Sequence, residues 1–158
     1  GKLVESWQPA PLPEAAMDNA RSIAARIVGA LASCGIFSVE MFVSGDDVYF
    51  SQVTPRPSRD GLVTFVTQRI NQFDLQARAT QRLPIDSTLI SPGAVRFLEG
   101  HPSQAALAEA MAVEEVTVRM LGDGTLVLAT ADSAAEARQR TDEAVREIHK
   151  IDGKPGEN

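Results

Sequence analysis

Two side chains twelve positions apart have the spacing of a metal and nucleotide site. Glu40 and Gln52 lie in the stretch VEMFVSGDDVYFSQVTPRPSRDG, residues 39–61, and Arg56 follows them in a proline-rich turn. Carboxylate and amide oxygens suit Mg²⁺, which usually keeps phosphate oxygens and water in its shell, and a nearby Arg neutralises phosphate charge. Spacing alone is a weak signal, because exposed glutamates are common in strands. An ordinary hairpin is the competing interpretation.

The elements that would position these side chains are two strands. IFSVEMFV and DVYFSQVT are rich in β-branched and aromatic residues, and SGDD separates them. Alternation predicts Glu40 and Phe42 on one face of the first strand, and Phe50 and Gln52 on one face of the second. A three-residue loop at 45–47 would place Glu40 opposite Gln52. A slip of one residue would destroy this pairing.

Further elements surround the hairpin in an α+β pattern. We expect a helix over residues 13–33 that ends at Gly35, and a helical segment over 62–82 that breaks near INQFD. After an irregular stretch, the pattern predicts a strand (AVRFLEG), a short helix (103–111), a hairpin (EEVTVRML-GDG-TLVLAT) and a long helix (133–151). The predicted domains are 1–85 and a small β-rich domain, 86–152, closed by that helix, with 153–158 as a disordered tail.

Composition narrows the classes of function. The chain has 158 residues, of which 44% are apolar, so a packed core is feasible. Its net charge of −6 argues against a general nucleic-acid binder, and no 18-residue apolar run predicts a membrane span. The single cysteine, Cys34, which we expect to be buried, favours a reducing, cytoplasmic setting. Because the sequence begins GKLVESWQP without Met, we expect a fragment of a longer protein.

Three stretches together resemble the C-terminal part of an ATP-grasp enzyme. They are ESWQPAPLPEAA, GIFSVEMFVSGDDVYFSQVTPRP and LPIDSTLISPGAV, and the similarity runs from about Glu5 to Leu83, then more weakly to the end. Within the superfamily the chain is similar to the formate-dependent phosphoribosylglycinamide formyltransferases, and more distantly to the ATP-binding subunit of phosphoribosylaminoimidazole carboxylase. The resemblance implies half of an ATP-grasp domain followed by the small domain, with ATP and Mg²⁺ as cofactors of the full-length parent.

The resemblance also implies roles for individual residues. Glu40 matches the family's first metal-binding glutamate, and Gln52 stands where the second would be, which implies a weakened metal site. Phe42 matches an apolar residue that lies against adenine. Arg56 matches the Arg of the P-R-P turn beside the phosphates, so it is the candidate catalytic and nucleotide-binding cation.

Two departures concern the acceptor substrate. Arg59 stands where the family has an Asp that contacts the substrate, so the resemblance makes Arg59 and Asp60 the candidate substrate residues. Asp60 comes one residue late and would point elsewhere unless the loop readjusts. The family holds the substrate's phosphate with a Lys and paired Arg residues on a longer C-terminal hairpin. Here the hairpin is predicted to turn tightly at Gly122-Asp123-Gly124 and has no such cations.

These expectations leave three functions open. The chain is the C-terminal portion of a formyltransferase of purine biosynthesis and is inactive as an isolated fragment; or it is a divergent ATP-grasp module for binding or assembly without turnover; or it is part of an ATP-grasp ligase with a different acceptor. The expected partners are the missing N-terminal lobe of the parent chain and a second copy in a homodimer. Neither nucleic acid nor a membrane is an expected partner.

Overall fold

A computed structural model describes residues 2–154. The prediction of a disordered tail over 153–158 concerns mainly residues outside the described range, because only Gly153 and Lys154 of that stretch are described. The strands are β1 (Glu5–Gln8), β2 (Ser38–Ser44), β3 (Asp47–Thr54), β4 (Gly93–Glu99), β5 (Val116–Met120) and β6 (Gly124–Thr130). The helices are α1 (Glu14–Leu31), α2 (Thr64–Thr67), α3 (Gln72–Thr80), α4 (Gln104–Ala112) and α5 (Ala134–Asp152), with a 3-10 helix (Asp60–Val63) before α2.

The core is built on a four-stranded antiparallel sheet in the order β1-β4-β6-β5. The strand β6 is buried on both faces, which explains why TLVLAT reads as a nearly continuous apolar run. Val127 packs toward α4 and α5, while Leu126 and Leu128 pack with Leu62 and Val63 on the opposite face. The expected α+β class, with a β-rich C-terminal part closed by a helix, is confirmed.

The two-stranded sheet β2-β3 packs against α1 and forms a thinner layer. The only buried residue of α1 is Ala16, and the large side chains of the hairpin stay largely exposed. Ile23 and Ile27 of α1 line a shallow apolar groove together with Phe50 of β3. This layer therefore has far less core than the four-stranded sheet.

The end of α1 lies earlier than predicted. The helix stops at Leu31, because Ala32 takes the left-handed conformation with a φ of +47°. Gly35 serves a different purpose: its φ is +156°, and a Cβ there would come within 3.0 Å of the Gln76 side chain. The close approach lets the Ile36 N–H donate to Gln76 Oε1 at 2.6 Å, which fastens the connection to α3. The expectation that Cys34 is buried is wrong, since this connection exposes it.

The predicted break in the helical segment occurs at residues 68–71. Gln68 leaves the helix in an extended conformation and forms an isolated bridge with Leu89. The side chain of Asn71 then caps α3 by accepting hydrogen bonds from the Phe73 and Asp74 amides at 2.9 and 3.2 Å. Local side-chain chemistry therefore sets this boundary.

The first strand joins the sheet of the C-terminal part. Glu5 lies opposite Arg96 in the pairing of β1 with β4, and Arg138 of α5 donates to Glu5 Oε1 at 2.5 Å. The Arg138 guanidinium also lies 4.0 Å from the centre of the Trp7 ring. Its hydrogen bond with Glu5 raises the pKa of Arg138. The proposed division at residues 85 and 86 stays a prediction, but β1 packs with the second predicted domain.

A pH-dependent contact joins α4 to α5. The N–H and Oγ of Ser103 donate to the two carboxylate oxygens of Asp152 at 2.7 and 2.6 Å. These hydrogen bonds hold the pKa of Asp152 below its ordinary value of 3.8. A depressed folded-state pKa contributes stability that is present above the unfolded value and is lost as the pH falls through the folded value.

We therefore expect Asp152→Asn to lower the midpoint of thermal unfolding at pH 7, and this difference from the wild type to disappear as the pH falls below 3.8. Thermal melts across the acid range measure it. The control is Glu109→Gln, which removes an exposed carboxylate of α4 that forms no ion pair within residues 2–154. A midpoint difference for Asp152→Asn that stays constant at every pH would contradict this account.

Candidate functional site

The hairpin reaches the predicted pairing by an unpredicted route. Its turn has two residues, with Ser44 opposite Asp47, and Gly45 takes the positive φ (+61°) that such tight turns require. The register then shifts between Glu40 and Met41, which marks a β-bulge. The expected three-residue loop is wrong, but the bulge supplies the missing residue. Glu40 therefore lies opposite Gln52, as predicted.

The bulge changes which side chains share a face. Met41 pairs with Phe50 and Glu40 pairs with Gln52, and consecutive strand residues face opposite ways. Phe50 and Gln52 therefore lie on opposite faces, and the predicted common face for them is wrong. Phe50 faces α1, in the apolar groove. The sequence gives no sign of the bulge, because strict alternation assumes an uninterrupted ladder.

Both carboxylate oxygens of Glu40 accept hydrogen bonds from β3. Ser51 Oγ donates to Glu40 Oε1 at 2.7 Å, and Gln52 Nε2 donates to Glu40 Oε2 at 3.1 Å. The two donors are neighbours in sequence, and they reach one carboxylate because the bulge sets two residues of β3 against one of β2. Ser51 is a partner that the sequence argument missed.

Four of the predicted site residues line one cleft of about 330 Å³: Glu40, Gln52, Arg59 and Asp60. The cleft lies between the hairpin and the loop that follows it, and Leu3 closes one side. Ser6 Oγ donates to the carbonyl of Asp60 at 2.6 Å, which ties the loop to β1. Asp60 lines the cleft beside Arg59, so the loop brings this residue to the cleft although it comes one position late in the sequence. A role of either residue toward a substrate stays a prediction.

Arg59 also lines a second, adjoining cleft of about 510 Å³ on the side of β4. Its guanidinium carbon lies 5.2 Å from the centre of the Phe97 ring, a cation–π distance. Among residues 2–154 the Arg59 side chain forms no ion pair. Its donor groups therefore stay available to a ligand of either cleft.

Phe42 and Arg56 lie outside this group. Phe42 shares the face of Glu40, is 64% exposed and stands opposite Tyr49, which is 56% exposed. Arg56 is exposed, and the described part of the chain offers it no hydrogen bond or ion pair. The adenine-side role of Phe42 and the phosphate-side role of Arg56 stay predictions.

The C-terminal hairpin turns tightly, as predicted. The Leu121 N–H donates to the Gly124 carbonyl at 2.8 Å, so only Gly122 and Asp123 lie at the tip. The backbone of Gly124 comes so close to β4 that an added Cβ would lie 2.7 Å from the Leu98 carbonyl. The tip carries no Lys or Arg, and Asp123 lines the second cleft.

The side chains do not fit a two-carboxylate magnesium site. Only Glu40 of the pair is a carboxylate. Gln52 turns its amide NH₂ group toward Glu40, because the amide carbonyl oxygen in that place would face a carboxylate oxygen with no hydrogen between them. Within residues 2–154 no group of three or more His, Cys, Asp and Glu side chains is arranged to hold a metal. The strand pair therefore offers an ion one anionic ligand.

None of the described helices is both long and apolar enough to cross a membrane.

Comparison with known families agrees with this architecture. Residues 1–73 match the model of the ATP-grasp domain. This part of the chain, with its hairpin of paired site residues, is therefore similar to an ATP-grasp domain.

The relatives narrow the resemblance to one enzyme. The chain is 49% identical over 158 residues to the formate-dependent phosphoribosylglycinamide formyltransferase of Corynebacterium jeikeium (strain K411). This alignment covers 91% of this chain and 38% of the relative. It is 38% identical over 167 residues to the enzyme of the same name from Paraburkholderia xenovorans (strain LB400), covering 98% of this chain and 41% of the relative. The predicted similarity to the C-terminal part of these formyltransferases is confirmed. The chain spans about two fifths of their length.

Two solved structures of differently named enzymes share the fold of this chain. A glycinamide-RNase-transformylase T from Mycobacterium tuberculosis superposes with a TM-score of 0.86 at 46% identity, over 90% of this chain and 44% of that chain. An N5-carboxyaminoimidazole ribonucleotide synthetase from Thermotoga maritima superposes with a TM-score of 0.81 at 26% identity, also over 90% and 44%.

The side chain at position 52 should affect the affinity for Mg²⁺–ATP. In the full-length parent, Gln52→Glu would add a second anionic ligand and should tighten binding of Mg²⁺–ATP by roughly tenfold or more, the effect of one charge-assisted contact. Titration calorimetry on the two proteins measures the change. Gln104→Glu, which adds the same charge at the start of α4, is the control and should leave the affinity unchanged. Equal affinities for both variants would show that residue 52 does not face the ion.

Proposed function

We propose that the chain is the C-terminal portion of an ATP-dependent formyltransferase or ligase that resembles the formate-dependent phosphoribosylglycinamide formyltransferases. The observation that carries the proposal is the convergence of Glu40, Gln52, Arg59 and Asp60 on one cleft between the hairpin and the loop after it. These residues come from two separate segments, and the fold brings them together in a chain that is 49% identical to such an enzyme.

The nucleotide would lie on the face of the hairpin that carries Glu40. Phe42 and Tyr49 are exposed on that face and offer aromatic surface to a base. Arg56 follows at the end of β3 with its guanidinium free for phosphate oxygens. In the parent, ATP would convert formate to formyl phosphate and ADP, and the acceptor amine would take the formyl group, releasing phosphate and a proton.

The isolated chain would not turn over. Phosphoryl transfer depends on positioning and on fixed charges around the phosphates, and the described cleft is open on the side of the hairpin's exposed aromatic residues. The expected partner is the N-terminal lobe of the parent chain, which would cover this face, and the parent would assemble as a homodimer. We propose a place in purine biosynthesis and a cytoplasmic location from the names of the relatives and from the single cysteine.

One observation favours a second candidate function, a binding or assembly module without turnover. The hydrogen bonds from Ser51 and Gln52 occupy both oxygens of Glu40 and link β2 to β3 through side chains of the hairpin itself. A hairpin of this kind keeps the shape of the family while losing one anionic ligand. A ligase with another acceptor is the remaining alternative, favoured by Arg59 in the cleft and by the cation-free tip at Gly122 and Asp123.

A chimeric enzyme separates these candidates. Residues 2–154 replace the matching part of the Corynebacterium jeikeium relative, and ADP release is measured with and without formate. We expect no ADP from the isolated chain, formate-stimulated ADP from the chimera, and loss of that activity in the chimera with Glu40→Ala. Glu109→Ala in α4 is the matched control and should keep the activity.

The opposite results are equally clear. Formate-stimulated ADP release by the isolated chain would contradict the proposed inactivity. A folded chimera that binds ATP but releases no ADP would reject the enzyme and support the module. The chimera also tests the acceptor, because activity with formate that does not respond to glycinamide ribonucleotide would indicate a different amine.

A further inference from the structure

The clamped loop, residues 58–61, is held to α3 by a buried amide group. Gln72, the first residue of α3, is only 4% exposed. Its Oε1 accepts a hydrogen bond from the Ser58 N–H at 3.2 Å, and its Nε2 donates to the Ser58 carbonyl at 2.8 Å. One side chain therefore satisfies both backbone groups of Ser58, as a neighbouring strand would in a sheet.

The backbone of Gln72 also reaches the other end of the clamped loop. The Gln72 N–H donates to Thr64 Oγ1 at 3.0 Å, and Thr64 Oγ1 donates to the Gly61 carbonyl at 2.6 Å. Between these ends, Ser6 Oγ donates to the Asp60 carbonyl at 2.6 Å. The backbone of the clamped loop is thus fixed from outside, by groups of β1, α2 and α3.

Gly61 leaves room for the clamping amide. A Cβ at this position would lie 2.1 Å from Gln72 Oε1 and 2.8 Å from the amide carbon. A free glutamine would turn aside at little cost, but this one forms two hydrogen bonds with Ser58. Moving it would leave partly buried polar groups of Ser58 unpaired, which is unfavourable.

A second glutamine on the same face of α3 serves as a comparison. Gln76 lies four residues after Gln72, and side chains at this spacing share one helix face. Gln76 Oε1 accepts the Ile36 N–H at 2.6 Å, and a Cβ at Gly35 would lie 3.0 Å from the same oxygen. Because Ile36 precedes β2 and Ser58 follows β3, the two glutamines hold opposite ends of the hairpin.

We propose that Gln72 is a positioning residue for the cleft of about 330 Å³ between the hairpin and the clamped loop. Gln72 does not line this cleft, but Ser58, Arg59 and Asp60 do. Because the backbone is fixed at Ser58, the side chains of Arg59 and Asp60 project from a rigid support, and groups placed before a ligand arrives lose less entropy on binding. The inference rests on the proposed function, since it assigns to Gln72 the placement of the loop that would meet the acceptor.

Amide hydrogen exchange on the 158-residue protein tests the clamp without an assay of activity. Gln72→Met keeps the length of the side chain and removes both of its hydrogen bonds with Ser58. The Ser58 amide should then exchange roughly tenfold faster or more, while the Ile36 amide is unchanged. Gln76→Met is the matched control one turn later and should give the reverse, with faster exchange of Ile36 and unchanged exchange of Ser58.

A second pair of variants tests the fit of Gly61 against the amide and does not depend on the folding of Gln72→Met. Gly61→Ala should accelerate the exchange of Ser58 by roughly tenfold, because the new Cβ displaces the amide. Gln72→Ala removes the three atoms nearest to that Cβ. Adding Gly61→Ala to Gln72→Ala should therefore change the exchange of Ser58 by less than about twofold.

The chimera with the Corynebacterium jeikeium relative supplies the readout that a purely structural role would not move. Gln72→Met should raise the KM for glycinamide ribonucleotide by roughly tenfold and leave the KM for ATP unchanged, because the clamped loop carries the candidate acceptor residues. The control is Gln68→Met, since Gln68 Oε1 has no hydrogen-bond partner within residues 2–154. This variant should change neither KM.

Three results would overturn the proposal. They are a Ser58 amide that exchanges freely in the wild type, equal acceleration of Ser58 and Ile36 in Gln72→Met, and an unchanged KM for the acceptor in an active chimera that carries Gln72→Met. The last result would reject the positioning role and leave the proposed function standing. An inactive chimera beside the expected exchange pattern would reject the proposed function and retain the clamp of the loop by Gln72.

Discussion

The pairing of β1 with β4 is the contact on which the clefts depend. The residues before α1 reach across to the sheet of the C-terminal part, where Glu5 is held by Arg138 and the Phe97 N–H donates to the Val4 carbonyl at 3.0 Å. This docking places Leu3 between the two clefts and lets Ser6 hold the backbone of Asp60. Without it, the loop that carries Arg59 would lose its attachment to the sheet.

The partly buried charges around β1 explain how a four-residue strand stays docked. Arg96 donates to Asp142 at 2.5 Å and lies 4.0 Å from Glu5, while Arg138 binds Glu5 and covers Trp7. A short edge strand has few backbone hydrogen bonds of its own, so side-chain contacts to α5 add the rest. Removing Arg138 would leave Glu5 with only the longer contact to Arg96, and removing Glu5 would leave the Arg138 guanidinium without its carboxylate. Either loss should destabilise the docking of β1.

The helix boundaries that depend on local periodicity and on capping side chains were predictable from the sequence. The long helix α5 begins after Ser133, whose side chain caps it, and the break before α3 follows from the cap at Asn71. The register of β1 on β4 was beyond such reasoning, because nothing in ESWQ specifies a partner nearly ninety residues away. The sequence also did not predict the β-bulge of the β2-β3 hairpin, because strict alternation cannot show where one strand of a pair has an extra residue.

The candidate site shows the same division. The opposition of Glu40 and Gln52 followed from spacing, but their direct hydrogen bond and the contribution of Ser51 needed the bulge. The association of Arg59 with Phe97 and Asp123 needed the whole sheet, since these residues come from three separate segments. A site assembled by one hairpin was therefore predictable, whereas a cleft assembled by tertiary packing was not.

The contact of Arg138 with Glu5 docks β1 on β4, and amide hydrogen exchange tests this docking most directly. In the wild type the Phe97 amide should be protected nearly as well as the Val127 amide in the core. In Arg138→Gln the protection of Phe97 should fall while that of Val127 stays, because only the edge strand loosens. A Phe97 amide that exchanges freely in the wild type, beside a protected Val127, would contradict the docking of β1.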